Sequence, residues 1–345
     1  MTKLLEPLRH PGFIDLRNRT VMSAMSRSSA DENHCPTDAM LAYYARRAQG
    51  GAGLILTEGT LIDKSGDGWN NAPYIATEAH AKAWRPVVDA VHQAGGAIAW
   101  ELWHMGRISH SDYTGNAPVS STNVAAAGVN RQNNKDYGTP RALAADELPQ
   151  VTGLFVDAAK RALDAGFDAV ELHAGHGYLI DQFLDAKVND RTDAYGGSVE
   201  NRCRFLLELV ETLTKAVPGS HVIALISHSR AMGGIYEWDE LDAMIAYLVP
   251  ALQQLGMGAL DVSCANSNYF ETSGRMVRKI RPHWSGVIMA GASLTPEEAE
   301  SELDSGMIDL VTWGRAFIAN PDLAEKLRDG TPLAAFEEAM RGTLV

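Results

Sequence analysis

Short apolar runs recur along this chain, each separated from the next by an amphipathic stretch. They are RTVMSAM (19–25), GLILTE (53–58), AIAWELW (97–103), FDAVELH (167–173), HVIALIS (221–227), ALDVS (259–263), GVIMAG (286–291) and DLVTWG (309–314). Most are apolar on both faces, as parallel strands are when helices cover one side and other strands pack within. The segments between them carry helix punctuation. TDAMLAYYARRAQGG follows Pro36, opens on a Thr37 cap and stops at Gly50-Gly51. TEAHAKAWRPVVDAVHQAGG has a similar glycine stop. SVENRCRFLLELVETLTKAV sets Phe205, Leu206, Leu209, Val210 and Leu213 on one helical face. LTPEEAESELDSG has Thr295 as cap, Pro296 in the first turn and Glu298 three residues after the cap. This alternation most simply closes into an α/β (β/α)8 TIM barrel. An open doubly wound sheet would usually show a glycine-rich dinucleotide turn after its first strand. No G-x-G-x-x-G occurs, and Gly256-x-Gly258 lacks the third glycine and precedes a strand.

The expected organisation is one barrel domain over residues 1–345. Residues 1–19 hold a hairpin-like cap before the first strand. Residues 105–145, rich in Gly, Ser, Asn and Pro, form an excursion over the barrel mouth; a loop of that length in a compact domain is usually functional. The 345 residues carry 30 Lys and Arg against 43 Asp and Glu, a formal charge of −13. A surface this acidic repels phosphate backbones, which argues against nucleic acid or an anionic membrane as partner. Cys35, Cys203 and Cys264 are odd in number, far apart and without zinc spacing. With no apolar signal core at the N-terminus and no run of about 20 apolar residues, the expectation is a cytoplasmic protein, monomer or homodimer.

In a barrel the chemistry sits at the C-terminal ends of the strands. There the sequence places Ala24-Met25-Ser26-Arg27, Glu58-Gly59, Glu101-Leu102-Trp103-His104, Glu171-Leu172-His173, Gly291-Ala292 and Gly314-Arg315. Small residues after strands seven and eight, with one arginine, fit a phosphate site on a bound cofactor. His173-x-x-His176 has neither an HExxH pattern nor a cysteine partner, so no metal is expected. Two imidazoles can instead donate to a carbonyl oxygen, and Tyr178, beside Gly177, can supply a proton in the same mouth. Trp103 reads as a pocket wall; Trp69 reads equally as wall or core. His104, His110 and Arg107 read as residues that hold the long loop. Tyr269 and Phe270, in NSNYFETSG, are alternatives for a further wall.

These motifs together resemble the old yellow enzyme family of flavin-dependent ene-reductases. The resemblance runs from LLEPL near the N-terminus to NPDLAEKL. It rests on RTVMSAMSRSSA, YYARRA, LILTEGTLI, ELWHMGRISH, TPRAL, VTWGRAFIANPDLAEKL and above all ELHAGHGYLIDQFLDAKVNDRTDAYGGSVENRCRF. It implies non-covalent FMN, reduced by NADPH or NADH. A small enone or enal substrate would take hydride from flavin N5 at its β-carbon and a proton from Tyr178. It implies His173 and His176 on the substrate's activating oxygen, with Trp103 beside the substrate. It implies cofactor contacts from Ala24, Met25, Ser26, Gly59, Glu101 and His173, and a phosphate cradle of Gly291, Ala292, Gly314 and Arg315.

Three positions depart from what the resemblance implies. The family has Pro at Ala24, Gln at Glu101 beside the flavin's pyrimidine edge, and Arg at Leu225 near flavin N1 and O2. The tail AAFEEAMRGTLV also lacks the family's tyrosine-bearing end. Loss of a cation and gain of a carboxylate weaken support for the charge of a reduced flavin. The alternative readings are therefore a redox-neutral isomerase or cyclase, or a flavin-free biosynthetic enzyme, on the same barrel.

Overall fold

The computed structural model describes residues 2–227, 237–264 and 267–344. Asn266 of the NSNYFETSG segment lies outside the described residues. Eight parallel strands form the barrel: β1 Thr20–Met22, β2 Leu54–Leu56, β3 Ala97–Trp103, β4 Ala169–His173, β5 Val222–Leu225, β6 Ala259–Asp261, β7 Val287–Ala290 and β8 Leu310–Trp313. Each pairs with the next, β8 pairs with β1, and the β2–β3 pairing of Leu54 with Ala97 completes the ring. The chain therefore has the (β/α)8 fold expected from its alternation.

The helices between the strands begin where the caps predict. α1 (Asp38–Gln49) is capped by Thr37, whose side chain accepts from Met40 N, and α2 (Glu78–Gln93) by Thr77. α3 spans Leu148–Asp164 and α4 Val199–Ala216; α4 buries Phe205, Leu206, Leu209, Val210 and Leu213, the face read from its spacing. α5 (Leu241–Gln254) and α6 (Ser273–Ile280) follow. α7 (Pro296–Asp304) has a full capping box between Thr295 and Glu298, and α8 (Leu323–Asp329) ends at Gly330 in the left-handed region.

Leu8 and Leu16 make an antiparallel bridge, and Leu8, Phe13 and Leu16 pack on Val21, Leu54, Leu56, Ala99, Ala169, Ile223 and Ala259 at the barrel's lower end. Several strands are shorter than the apolar runs suggest, for one reason. The ladder ends where the chain turns to line the mouth: Ser23 N donates to Trp313 O, and Ser23, Ala24, Met25 and Ser26 then face the pocket. The 105–145 excursion folds into short pieces, among them Val119–Ser120 beside Arg141–Ala142 and Val129–Asn130 beside Lys135–Asp136.

Side chains alternate along a strand, so every second residue enters the barrel. At the lower level these are Ala99, Ala169, Ile223 and Ala259, all apolar. Two residues further up β3, β4 and β6 they are Glu101, Glu171 and Asp261, all buried. The interior thus changes from hydrocarbon to carboxyl directly under the mouth.

Candidate active site

A cavity of about 310 Å³ opens at the C-terminal end of the barrel. Its lining includes the residues read from the sequence as cofactor, substrate and catalytic contacts: Ala24, Met25, Ser26, Gly59, Glu101, Trp103, His173, His176, Tyr178, Gly291, Ala292, Gly314 and Arg315. Trp69 and Leu225 line it as well.

The turn after β4 is fixed from beneath. His176 and Gly177 both have positive φ, 55° and 80°, the left-handed region that a non-glycine residue enters only when its surroundings hold it there. Asp181 Oδ2 accepts from Gly177 N at 2.7 Å, and Asp181 Oδ1 accepts from Trp238 Nε1 at 2.8 Å. Gln182 Nε2 donates to Gly177 O at 2.8 Å and to Met105 O at 3.0 Å, so one amide ties the turn to the start of the long excursion. These anchors come from LIDQ, which forms the short helix Leu179–Leu184.

The result is a compact aromatic and imidazole group. His173 Nε2 lies 3.0 Å from His176 Nδ1, so the tautomer of one ring sets that of the other. His173 Nδ1 lies 2.6 Å from Glu101 Oε1. The pair is a close carboxylate–imidazole contact rather than an aligned hydrogen bond. Tyr178 packs edge-on to Trp103, with centroids 5.1 Å apart, and to His173 at 4.7 Å. Burial pushes the Tyr178 phenol above its ordinary range, with the nearby Glu101 charge and then Tyr137 adding to the shift. The phenol therefore keeps its proton at neutral pH and can give it away.

Gly59 is required by the wall. A Cβ there would come within 2.7 Å of the Trp103 ring and 3.2 Å of Glu101 Oε2. Gly314 likewise faces Met25 Sδ, at 3.1 Å from where its Cβ would be. At the other end of the cavity, Gly291, Ala292 and Gly314 leave space beside Arg315 and Arg341. Small residues and two guanidinium groups suit a phosphate, and the flat wall past Gly59 suits a planar ring. A phosphorylated flavin therefore fits the residues present. Glu101 and Leu225 line the cavity as well, and no cation lies beside them among the described residues.

Several lining residues were not singled out for this pocket from the sequence. Arg27 donates through Nη2 to Thr343 O at 2.5 Å, which draws the tail over the pocket. Phe336 and Arg341 of that tail line the cavity, as do Ser263, Cys264 and Thr312. No motif marks the tail residues. Ser263 and Thr312 follow from two-residue alternation along β6 and β8. Glu58 receives the Arg27 and Ser28 N–H groups on Oε2, at 2.9 and 3.1 Å, and burial pushes its carboxyl up to about 7.

One expectation is corrected. Neither Tyr269 nor Phe270 lines the cavity: Tyr269 is buried with its hydroxyl on Glu302 Oε2 at 2.8 Å, and Phe270 is exposed. The loop residues, by contrast, have holding contacts. His104 Nδ1 accepts from Gly106 N, His110 caps Ser111–Thr114, and Arg107 Nη1 donates to Val124 O. Burial lowers His104 to about 4, so it stays a neutral acceptor. Among the described residues, no group of three His, Cys, Asp or Glu is arranged to hold a metal, and no helix is long and apolar enough to cross a membrane.

A (β/α)8 barrel with this cradle, planar wall and buried imidazole–tyrosine group defines a flavin-dependent oxidoreductase. Residues 3–334 match the model of the NADH:flavin oxidoreductase / NADH oxidase family. The chain is 37% identical over 347 residues to 12-oxophytodienoate reductase 7 of Oryza sativa subsp. japonica, covering 94% of this chain and 87% of that one. Among solved structures it resembles the old yellow enzyme homologue of Zymomonas mobilis, with a TM-score of 0.92, 34% identity and coverage of 99% and 96%. It also resembles morphinone reductase in complex with tetrahydroNAD, with a TM-score of 0.89, 34% identity and coverage of 99% and 94%. The chain belongs to the NADH:flavin oxidoreductase family, as an ene-reductase-like enzyme of the old yellow enzyme type.

Proposed function

We propose that the protein uses FMN to carry two electrons from NADPH or NADH to the C=C bond of a small α,β-unsaturated carbonyl compound. The observation that carries this reading is the placement of Tyr178, a buried and protonated phenol, against His173 in the wall of one cavity. Bound FMN would supply the two-electron, hydride-donating chemistry. Gly291, Ala292, Gly314 and Arg315 hold its phosphate, and Ala24, Met25, Ser26, Gly59, Glu101 and His173 bound its ring. His173 and His176 donate to the substrate's carbonyl oxygen, which takes the place of their mutual contact. That polarises the alkene and stabilises charge on the oxygen. Tyr178 gives its proton to the α-carbon, and Trp103 walls the substrate on the same side. The names of the relatives, reductases of 12-oxophytodienoate and of morphinone, support a carbonyl-conjugated substrate.

The test separates the two half-reactions. Tyr178→Phe should slow alkene reduction by roughly 10²–10⁴-fold, the usual range for a lost general acid. Nicotinamide-driven bleaching of the flavin should change little. Equal loss of both would remove Tyr178 from the proton-donor role. The Glu101–His173 contact favours a second reading, redox-neutral isomerisation of the same substrate class. It predicts double-bond migration in the enzyme without nicotinamide.

A further inference from the structure

Glu101, Glu171 and Asp261 form one layer beneath the pocket. Glu101 and Glu171 are register partners on β3 and β4, and Asp261 lies on β6, one strand beyond β5. Their exposures are 3%, 0% and 0%. Among the described residues no N–H or hydroxyl group donates to either Glu171 oxygen or to Asp261 Oδ2, and the two buried carboxyls lie within hydrogen-bonding reach of each other. An unpaired buried carboxyl is costly, and the missing donor that satisfies this pair most economically is a proton.

Among the described residues the titratable groups around this layer come from few elements. β3 brings Glu101, β4 brings Glu171 and His173, β6 brings Asp261, and the turn after β4 brings Tyr178. Glu58 of the chain after β2 is turned away, onto the Arg27 and Ser28 backbone. The described residues of β1, β5, β7 and β8 bring no charged side chain. Asp261 accepts from Ser263 Oγ, which also meets Thr312 Oγ1 at 2.7 Å. On β5 the residue in register with both His173 and Asp261 is Leu225. Among the described residues the pocket's guanidinium groups, Arg27, Arg315 and Arg341, come from the segments that follow β1 and β8 and from the tail instead.

We propose that this acid layer takes up a proton when the flavin above it is reduced, so that two-electron reduction draws one proton to the flavin and a second to the Asp261–Glu171 pair. The proposal rests on the flavin reading of the pocket. The balance is simple. A reduced nicotinamide, or dithionite in the test, loses two electrons. The flavin gains them with one proton and carries one added negative charge. A solvent proton then forms an O–H bond on the Asp261 carboxylate, which cancels that charge. Glu101 lines the cavity and belongs to the layer, so a charge in the cavity is felt by the acids, and the coupling is reciprocal. Burial and then the neighbouring acids already hold Glu171 well above the carboxylate range, and burial raises Asp261 as well. With Glu171 holding its proton, Asp261, which accepts from Ser263 Oγ, is the carboxylate left to change state. A cation at position 225 would keep the acids ionised in both redox states, and no proton would move.

The experiment is a redox titration of the FMN-loaded protein between about pH 7 and 9, combined with infrared difference spectra of reduction in H2O and D2O. The slope of midpoint potential against pH should report two protons per two electrons. A protonated-carboxyl band should appear on reduction and shift in D2O. In Asp261→Asn and in Leu225→Arg the count should fall to one and the band should vanish; the second variant serves if the first does not fold. One proton in the unaltered protein overturns the proposal. So do two protons without a carboxyl band, which put the second proton on the ring. A protein that binds no flavin shows no bleaching at all, and that result removes the reading of the pocket itself.

Discussion

Glu101 Oε1 stands 2.6 Å from His173 Nδ1, in a layer where neither group has another close partner of opposite charge among the described residues. A carboxylate at Nδ1 fixes the ring's orientation from behind. It leaves Nε2 beside His176 Nδ1, 3.0 Å away, where a carbonyl oxygen can take the place of that contact. The resemblance implies an amide at this position, where this chain carries a carboxylate.

Glu101→Gln keeps the volume and removes the charge. Alkene reduction should fall roughly ten- to hundredfold, the scale of about 1.5–3 kcal/mol for an interaction with a charged group. The loss should appear in the alkene half-reaction, followed by stopped-flow reoxidation of the flavin. Unchanged reoxidation at every pH tested would mean that the 2.6 Å contact does no work in the reaction.

Arg315 tests the other end of the cavity. Arg315→Ala should weaken FMN binding roughly ten- to hundredfold through loss of a charge-assisted contact worth about 1.5–3 kcal/mol. Riboflavin, which has no phosphate, should bind the parent and the variant alike. Calorimetry with both ligands makes the comparison, and parallel losses for both would place the phosphate elsewhere.

Gly59→Ala should act on the ring rather than on the phosphate. The added Cβ meets the Trp103 ring at 2.7 Å, so the indole or the strand end must shift. Overpacking of this kind costs about 1–3 kcal/mol. Flavin occupancy after purification should drop, with a modest fall in melting temperature. A fully loaded variant of unchanged stability would show that the wall is not where the flavin ring lies.

Much of this was legible in the sequence because local signals agreed. The Thr37 and Thr295 caps, the glycine stops and the eight apolar runs all pointed to one barrel, and the strand ends then gathered the site residues in one mouth. The acid layer was harder to see. Glu101, Glu171 and Asp261 lie in three separate runs whose other residues are apolar on both faces. Only the register, which sets Glu101 opposite Glu171, shows that they share a level. Phe336 and Arg341 were invisible for a different reason. They reach the pocket through a tail held by Arg27, and tail docking has no periodic signature. Tyr269 and Phe270 stand as equal alternatives in the sequence; only the bond of Tyr269 to Glu302 shows that it points into the core.

The acid layer also predicts a pH dependence of stability. Burial, followed by Asp261 and Glu101, raises Glu171 in the folded chain, while the unfolded chain titrates it near the ordinary value of 4.5. Between that value and the raised one, the folded state holds the extra proton. Stability therefore falls as pH rises through this window, by up to about 1.4 kcal/mol per pH unit for one group. His104, lowered to about 4, contributes the opposite slope, with stability lost as pH falls from 6.5. That contribution is common to parent and variant, so it cancels in a comparison. Glu171→Gln has no proton to hold, and its amide can donate to Asp261. Its melting temperature should exceed the parent's by more at pH 8 than at pH 5, read by scanning calorimetry at matched ionic strength. A constant difference across that range would show that Glu171 ionises alike in the folded and unfolded chain, and that the carboxyls beneath the pocket do not share protons.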